Sequence, residues 1–153
     1  MEPAVSHAAS STDRTSHRVV VYSDAPALRA GVRSAVGGIS TGTIEWLECA
    51  TGAELLATVD AGRHSESVDL VILDGEARPE GGLGLAKQLK DELVDCPATL
   101  VLIARKDDAW LAKWAMADGV AFLPVDAATL NEVVGGLLRQ HASGHPVHRT
   151  AAL

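Results

Sequence analysis

Aromatic residues are nearly missing from this sequence: one Tyr, one Phe and three Trp in 153 residues, or 3%. A core with so few rings must be filled by aliphatic side chains, and 47% of the residues are hydrophobic, mostly Ala, Val and Leu. Cysteine is equally scarce. Cys49 and Cys96 lie at the ends of apolar runs, far apart, which suits core positions in a reducing compartment rather than a disulfide framework or a zinc site. Long hydrophobic runs are missing as well. Runs such as LVLIA are strand-sized, far below the ~20 residues that span a bilayer. The opening MEPAVSHAASSTDRTSH has no apolar stretch for a signal sequence. Positive charge is in deficit, with 13 Lys and Arg against 20 Asp and Glu and a formal net charge of -7. No basic stripe is available to displace counterions from a duplex, which argues against nucleic-acid binding. The expectation is a soluble, cytoplasmic protein with no membrane insertion, and the length suits one domain with a proper core.

What is present alternates regularly. Residues 1–16 are rich in Ser, Thr, Ala and His and read as a disordered lead; 17–141 read as one ordered domain; 142–153 read as a flexible tail. Within the domain RVVVYS (18–23), TIEWLECA (43–50), VDLVILD (68–74), ATLVLIA (98–104) and GVAFLP (119–124) are strand-like. Helical segments follow each. DAPALRAGVRSAVGG has Asp24 as a possible cap, Pro26 in the first turn and Gly37-Gly38 as the stop. TGAELLATVDAG starts from a Thr51 cap, and GLGLAKQLKDEL is the third helix. DDAWLAKWAMA begins with Asp107 and Asp108, where the helix dipole favours acids. DAATLNEVVGGLLRQ is capped by Asp126. Its Gly135-Gly136 pair costs roughly 1 kcal/mol per Gly relative to Ala, which close packing or a weakened helix would explain.

Five near-continuous apolar strands alternating with five helices imply an α/β fold, a doubly wound parallel sheet covered on both faces. In such sheets reactive residues gather at the carboxyl ends of the strands. Asp24 follows the first strand and Asp74 ends the third. In the flavodoxin-like (βα)5 order 2-1-3-4-5 these strands are neighbours, so the two carboxylates converge. Taken alone, Asp24 is more often a helix cap. Asp74 is harder to set aside, because a carboxylate closing an apolar strand must be exposed or paired. Its alternative is turn chemistry with Gly75. Glu76 and Glu80 are ordinary loop charges on the same view.

The segments YSDAPALR, LVILDGEARPEGG, LVLIARKDDAWL and DGVAFLPVDAATL together resemble a response-regulator receiver domain over about residues 18–140. The resemblance implies two acids after the first strand and a phosphoacceptor aspartate ending the third. It also implies a hydroxyl ending the fourth strand and a lysine just after the fifth. Asp74 falls on the acceptor position, Gly82 on the loop glycine and Asp24 on the second acid. Ser23 stands where the first acid is expected, Ile103 or Ala104 at the hydroxyl, and Val125 at the lysine. Pro79 comes one residue later than the family's loop proline. The chain therefore resembles a degenerate, orphan receiver, a pseudo-receiver, and its Ala, Arg and Val content points to an actinobacterial source.

Asp24, Asp74, the backbone carbonyl of Glu76 and waters suffice on paper for weak Mg²⁺ coordination, although no cofactor is required. Phosphoryl transfer needs positioned positive charge, and only the loop residues Arg78 and Arg105 are near in sequence. Driving a two-state switch takes about 5.5 kcal/mol, whereas a charge-assisted hydrogen bond supplies roughly 1.5–3 kcal/mol. Losing the lysine and hydroxyl contacts removes much of that drive. The expected function is a stand-alone interaction module that works without phosphorylation. The alternative is a single-domain regulator taking phosphate on Asp74 from a histidine kinase. Enzymatic readings lack support, since no P-loop, GxGxxG or Ser-His-Asp pattern is present.

For partners, Trp110 and Trp114 form an i, i+4 pair on the fourth helix. Trp114 is expected to pack on the core with Leu111 and Ala115, and Trp110 to face outward as an interface anchor. Phe122 takes the position of the family's aromatic switch residue, buried or mobile. The resemblance extends to orphan regulators linked to the respiratory NADH dehydrogenase complex, which makes such a complex the candidate partner. His141, His145 and His148 are more often incidental in a tail than metal ligands.

Overall fold

The computed structural model describes residues 16–37, 42–62 and 67–142. Most of the expected lead and tail, with His145 and His148, lies outside the described residues. The elements are β1 (Ser16–Tyr22), α1 (Pro26–Ala35), β2 (Thr43–Cys49), α2 (Gly52–Gly62), β3 (Leu70–Asp74), α3 (Gly82–Glu92), β4 (Ala98–Ile103), α4 (Ala109–Trp114), β5 (Gly119–Phe122) and α5 (Ala127–Ala142). All pairings are parallel and the strand order is β2-β1-β3-β4-β5, the flavodoxin-like order expected from the sequence.

The apolar strands are buried on both faces because helices cover both. Side chains alternate with period two. Val20, Tyr22, Val71, Leu73, Val101 and Ile103 pack with Leu55, Leu85, Leu89 and Ala112 of α2, α3 and α4. Val19, Val21, Leu70, Ile72, Leu100 and Leu102 pack with Val32 of α1 and Leu130, Val134 and Leu138 of α5. Cys49 and Cys96 are both free thiols.

Two caps form as expected. Thr51 Oγ1 accepts the Glu54 amide at 3.1 Å while Glu54 Oε1 accepts the Thr51 amide at 3.3 Å, a reciprocal capping box. Asp126 Oδ2 accepts the Thr129 amide at 2.9 Å. Asp24, by contrast, does not cap α1. The N-cap is Ala25, without a side-chain cap, and its amide goes to Ser23 Oγ at 3.0 Å.

The fourth helix is shorter than its sequence suggests. Lys106–Asp108 form a 3-10 turn, α4 holds six residues, and Met116 at φ 59° closes it in the left-handed region. Ala112 and Ala115 fill the inward stripe. Trp110 and Trp114 each lie roughly 200° around the helix from Ala112, on the outer side. Trp114 is 51% exposed, so the expectation that it packs on the core is overturned; its ring lies 5.7 Å from Lys87 Nζ. The glycine pair in α5 has no packing demand behind it. A Cβ on Gly135 would meet only the Arg139 guanidinium, at 3.2 Å.

Candidate functional site

The β1–β3 register places Tyr22 opposite Leu73, so the next residues of the two chains, Ser23 and Asp74, meet at the carboxyl end of the sheet. Ser23 Oγ donates to Asp74 Oδ2 at 2.7 Å. Asp74 Oδ1 accepts the Glu76 amide at 2.8 Å, the local turn chemistry of an aspartate. Asp74 is only 5% exposed, and two donors offset the loss of water around its carboxylate.

Glycine is required on both sides of this residue. Gly75 donates its amide to the Leu102 carbonyl at 2.7 Å, and a Cβ there would sit 2.7 Å from the same oxygen. A Cβ on Gly82 would lie 2.7 Å from the Asp74 carbonyl oxygen and 2.8 Å from its carbon. These are backbone atoms that cannot step aside, so the start of α3 can approach the end of β3 only without a side chain.

Asp24 is exposed and neighbours Asp74 through Ser23, yet it serves a different donor, accepting the Arg78 amide at 3.1 Å. Glu76 turns its Oε2 to the Ala104 amide at 3.2 Å. Tyr22 donates its hydroxyl to the Glu80 carbonyl. Burial, then the Glu80, Asp24 and Asp74 carboxylates, push the Tyr22 hydroxyl above its ordinary value, keeping it a donor. The loop after β3 is thus stitched to β1 and β4 at three points. Sequence reasoning missed Tyr22, although a lone Tyr ending a valine strand was a signal. It missed Arg29 too, whose Nη1 donates to the Ser23 carbonyl at 2.6 Å while Nε pairs with Glu48 at 2.9 Å.

Neither the hydroxyl nor the lysine that the resemblance implies stands at its position. Ile103 is buried and apolar, and Ala104 offers only its backbone. Leu123 follows β5 directly and donates its amide to the Ile103 carbonyl at 2.8 Å; Val125 lies two residues further. Arg105 is 73% exposed and 4.0 Å from Asp108, and Arg78 contributes its amide to Asp24. Among the described residues no side-chain ion pair reaches Asp74, and no three His, Cys, Asp or Glu are grouped to hold a metal. Ser23 supplies no carboxylate, and each Asp74 oxygen already accepts one hydrogen bond.

No family model matches the chain. An uncharacterized response regulatory protein of Mycobacterium tuberculosis, found in two strains, is 44% identical over 131 residues, covering 84% of this chain and 96% of that one. The chain belongs to the response regulators. The receiver domain of a response regulator from Clostridium thermocellum superposes with a TM-score of 0.70 at 19% identity, covering 83% of this chain and 98% of that one. The receiver domain of AraT from Geobacillus stearothermophilus gives 0.65 at 24% identity, covering 84% and 97%. At that identity the two likenesses speak for the fold alone. Asp74 closes β3, whereas the exposed rings belong to α4 and the end of β5. Trp110 is 65% and Phe122 41% exposed, with Met116 also open to solvent. No described helix is long and apolar enough to cross a membrane.

Proposed function

We propose that this response regulator is a degenerate receiver, a protein-interaction module that works without phosphorylation. The observation that supports the reading most is the state of Asp74: nearly buried, with Oδ2 on Ser23 and Oδ1 on the Glu76 amide, and no side-chain cation beside it among the described residues. A phosphoryl group arriving there would meet Asp24, Glu76 and Glu80 with no fixed positive charge to steady its oxygens. Mg²⁺ is not required on this reading. Trp110, Trp114 and Phe122 form the partner face, since exposed Trp side chains make strong interface anchors. The composition and the mycobacterial relative favour an actinobacterial, cytoplasmic protein. The resemblance noted above makes a respiratory NADH dehydrogenase complex the first partner to look for, by affinity purification from the native cell.

The competing reading, phosphorylation of Asp74 by a histidine kinase, draws on the retained Asp24, Asp74 and Gly82. Titration with beryllofluoride and Mg²⁺, followed by tryptophan fluorescence, separates the two. The degenerate receiver gives no saturable response. A saturable response that Asp74→Asn abolishes would establish the kinase-driven alternative instead.

A further inference from the structure

The β4–β5 ladder ends where Ile103 faces Phe122, and Ala104 is the first residue beyond β4. Its amide points to Oε2 of Glu76 at 3.2 Å, across 28 residues of sequence. The Glu76 amide itself donates to Asp74 Oδ1 at 2.8 Å. One residue therefore joins the acceptor aspartate of β3 to the segment that leads through the 3-10 turn into α4, Trp110 and Trp114. We propose that Glu76 is a positioning residue: its carboxylate, exposed and part of the chain itself, holds the segment after β4 in place with no group added to Asp74. This deepens the phosphorylation-independent reading and rests on it.

The chemistry favours such a tether. A carboxylate accepting a backbone N–H makes a charge-assisted bond, stronger than one between neutral groups. Because Glu76 is anchored two residues from Asp74, the anion is always at hand and no free ligand has to be recruited. The close approach of Gly75 to the Leu102 carbonyl brings the Glu76 backbone beside the end of β4, within side-chain reach of Ala104.

The test uses the full chain in buffer free of phosphate and Mg²⁺, reading the Ala104 amide by proton–nitrogen correlation spectra and hydrogen exchange. In Glu76→Ala the Ala104 amide should move upfield and exchange about threefold faster or more, the loss expected for a hydrogen bond between two solvent-exposed groups. Glu76→Gln, which keeps a neutral acceptor, should fall between. Glu76→Asp, one methylene too short, should resemble Glu76→Ala. In a Trp46→Phe background, Glu76→Ala should also shift the emission of Trp110 and Trp114. The proposal is overturned if the Ala104 shift and exchange rate are the same in parent, Glu76→Gln and Glu76→Asp. Those two variants decide the matter even if Glu76→Ala does not fold. A beryllofluoride response in the parent would instead count against the phosphorylation-independent reading, so the two failures appear in different measurements.

Discussion

Ser23 donates its hydroxyl hydrogen to Asp74 Oδ2 across 2.7 Å, tying together the ends of β1 and β3. The Ser23 hydroxyl oxygen accepts the Ala25 amide at 3.0 Å, so a single hydroxyl satisfies the buried carboxylate and begins the turn into α1. A carboxylate at position 23 would face Asp74 at close range and need a cation between them. With serine there, the contact is instead a hydrogen bond between a neutral hydroxyl and the carboxylate.

Ser23→Ala removes the donor and leaves Asp74 Oδ2 buried without it. The expected loss is about 1–3 kcal/mol of unfolding free energy, the penalty for an unsatisfied buried acceptor. Urea unfolding of the variant beside the parent measures it. A change below ~0.5 kcal/mol would mean that water reaches Asp74 readily.

Glycines of this chain should split into two classes. Gly82→Ala places a Cβ 2.8 Å from the Asp74 carbonyl carbon and from Leu73 Cβ, and should destabilise by about 1–3 kcal/mol through forced backbone movement. Gly84→Ala, two residues into the same helix with nothing within 4 Å, should instead stabilise by up to ~1 kcal/mol. Melting curves of the two variants give shifts of opposite sign if the packing is as described.

Much of this architecture is legible in the residues, for definite reasons. The valine run of β1 and the aliphatic runs of β3 and β4 can be buried only in a sheet covered on both faces, and the Thr51 and Asp126 caps are local chemistry. Asp24 misleads as a cap because the nearer Ser23 hydroxyl takes the Ala25 amide, freeing Asp24 for Arg78. Trp114 misleads because hydrophobicity ranks it above Ala112 and Ala115, whereas the helix turns the two alanines inward and leaves Trp114 half exposed. The engagement of Asp74 by Ser23 is hidden for another reason: it depends on the register of strands that are 51 residues apart.

A second contact invisible in the sequence joins α3 to the start of β5. Lys90 Nζ lies 2.8 Å from Asp118 Oδ2, with their side chains 9% and 0% exposed, and the Thr99 amide donates to the same oxygen at 2.8 Å. Lys90→Met alone leaves a buried carboxylate with the neutral Thr99 donors but no cation, and should cost about 3 kcal/mol. Lys90→Met with Asp118→Leu should recover part of that loss. A double-mutant cycle by urea unfolding reads the coupling, and additive losses would refute a paired interior.

The acid limb of the stability profile should carry the signature of Asp69. Burial pushes this carboxyl up, but the His141 hydrogen bond at 3.3 Å and the Arg18 amide at 2.8 Å outweigh it and hold the group below its ordinary value. A depressed folded value means the stabilisation is fully present above the unfolded pKa, about 3.9 for Asp, and is lost as pH falls through the lower folded value. Asp69→Asn should therefore flatten the fall in unfolding free energy between about pH 4 and pH 2. An unchanged slope would show that Asp69 titrates alike in both states.

Truncating the outward rings should separate stability from binding. Trp110 is 65% exposed and outside both core clusters, so Trp110→Ala should leave the unfolding free energy within about 0.5 kcal/mol. If the face around α4 and β5 is where a partner docks, the same substitution removes an aromatic anchor, and affinity should fall by at least about 2 kcal/mol, roughly thirtyfold. Trp114→Ala should also lose the 5.7 Å contact with Lys87. That contact supplies about 0.5–1 kcal/mol at an exposed site, so a small stability loss should accompany its binding defect. The comparison is made with whichever complex the parent retains on affinity purification from the native cell. Equal recovery with Trp110→Ala and Trp114→Ala would move the docking surface away from this face, whereas loss in both at near-parent melting temperature would fix it there.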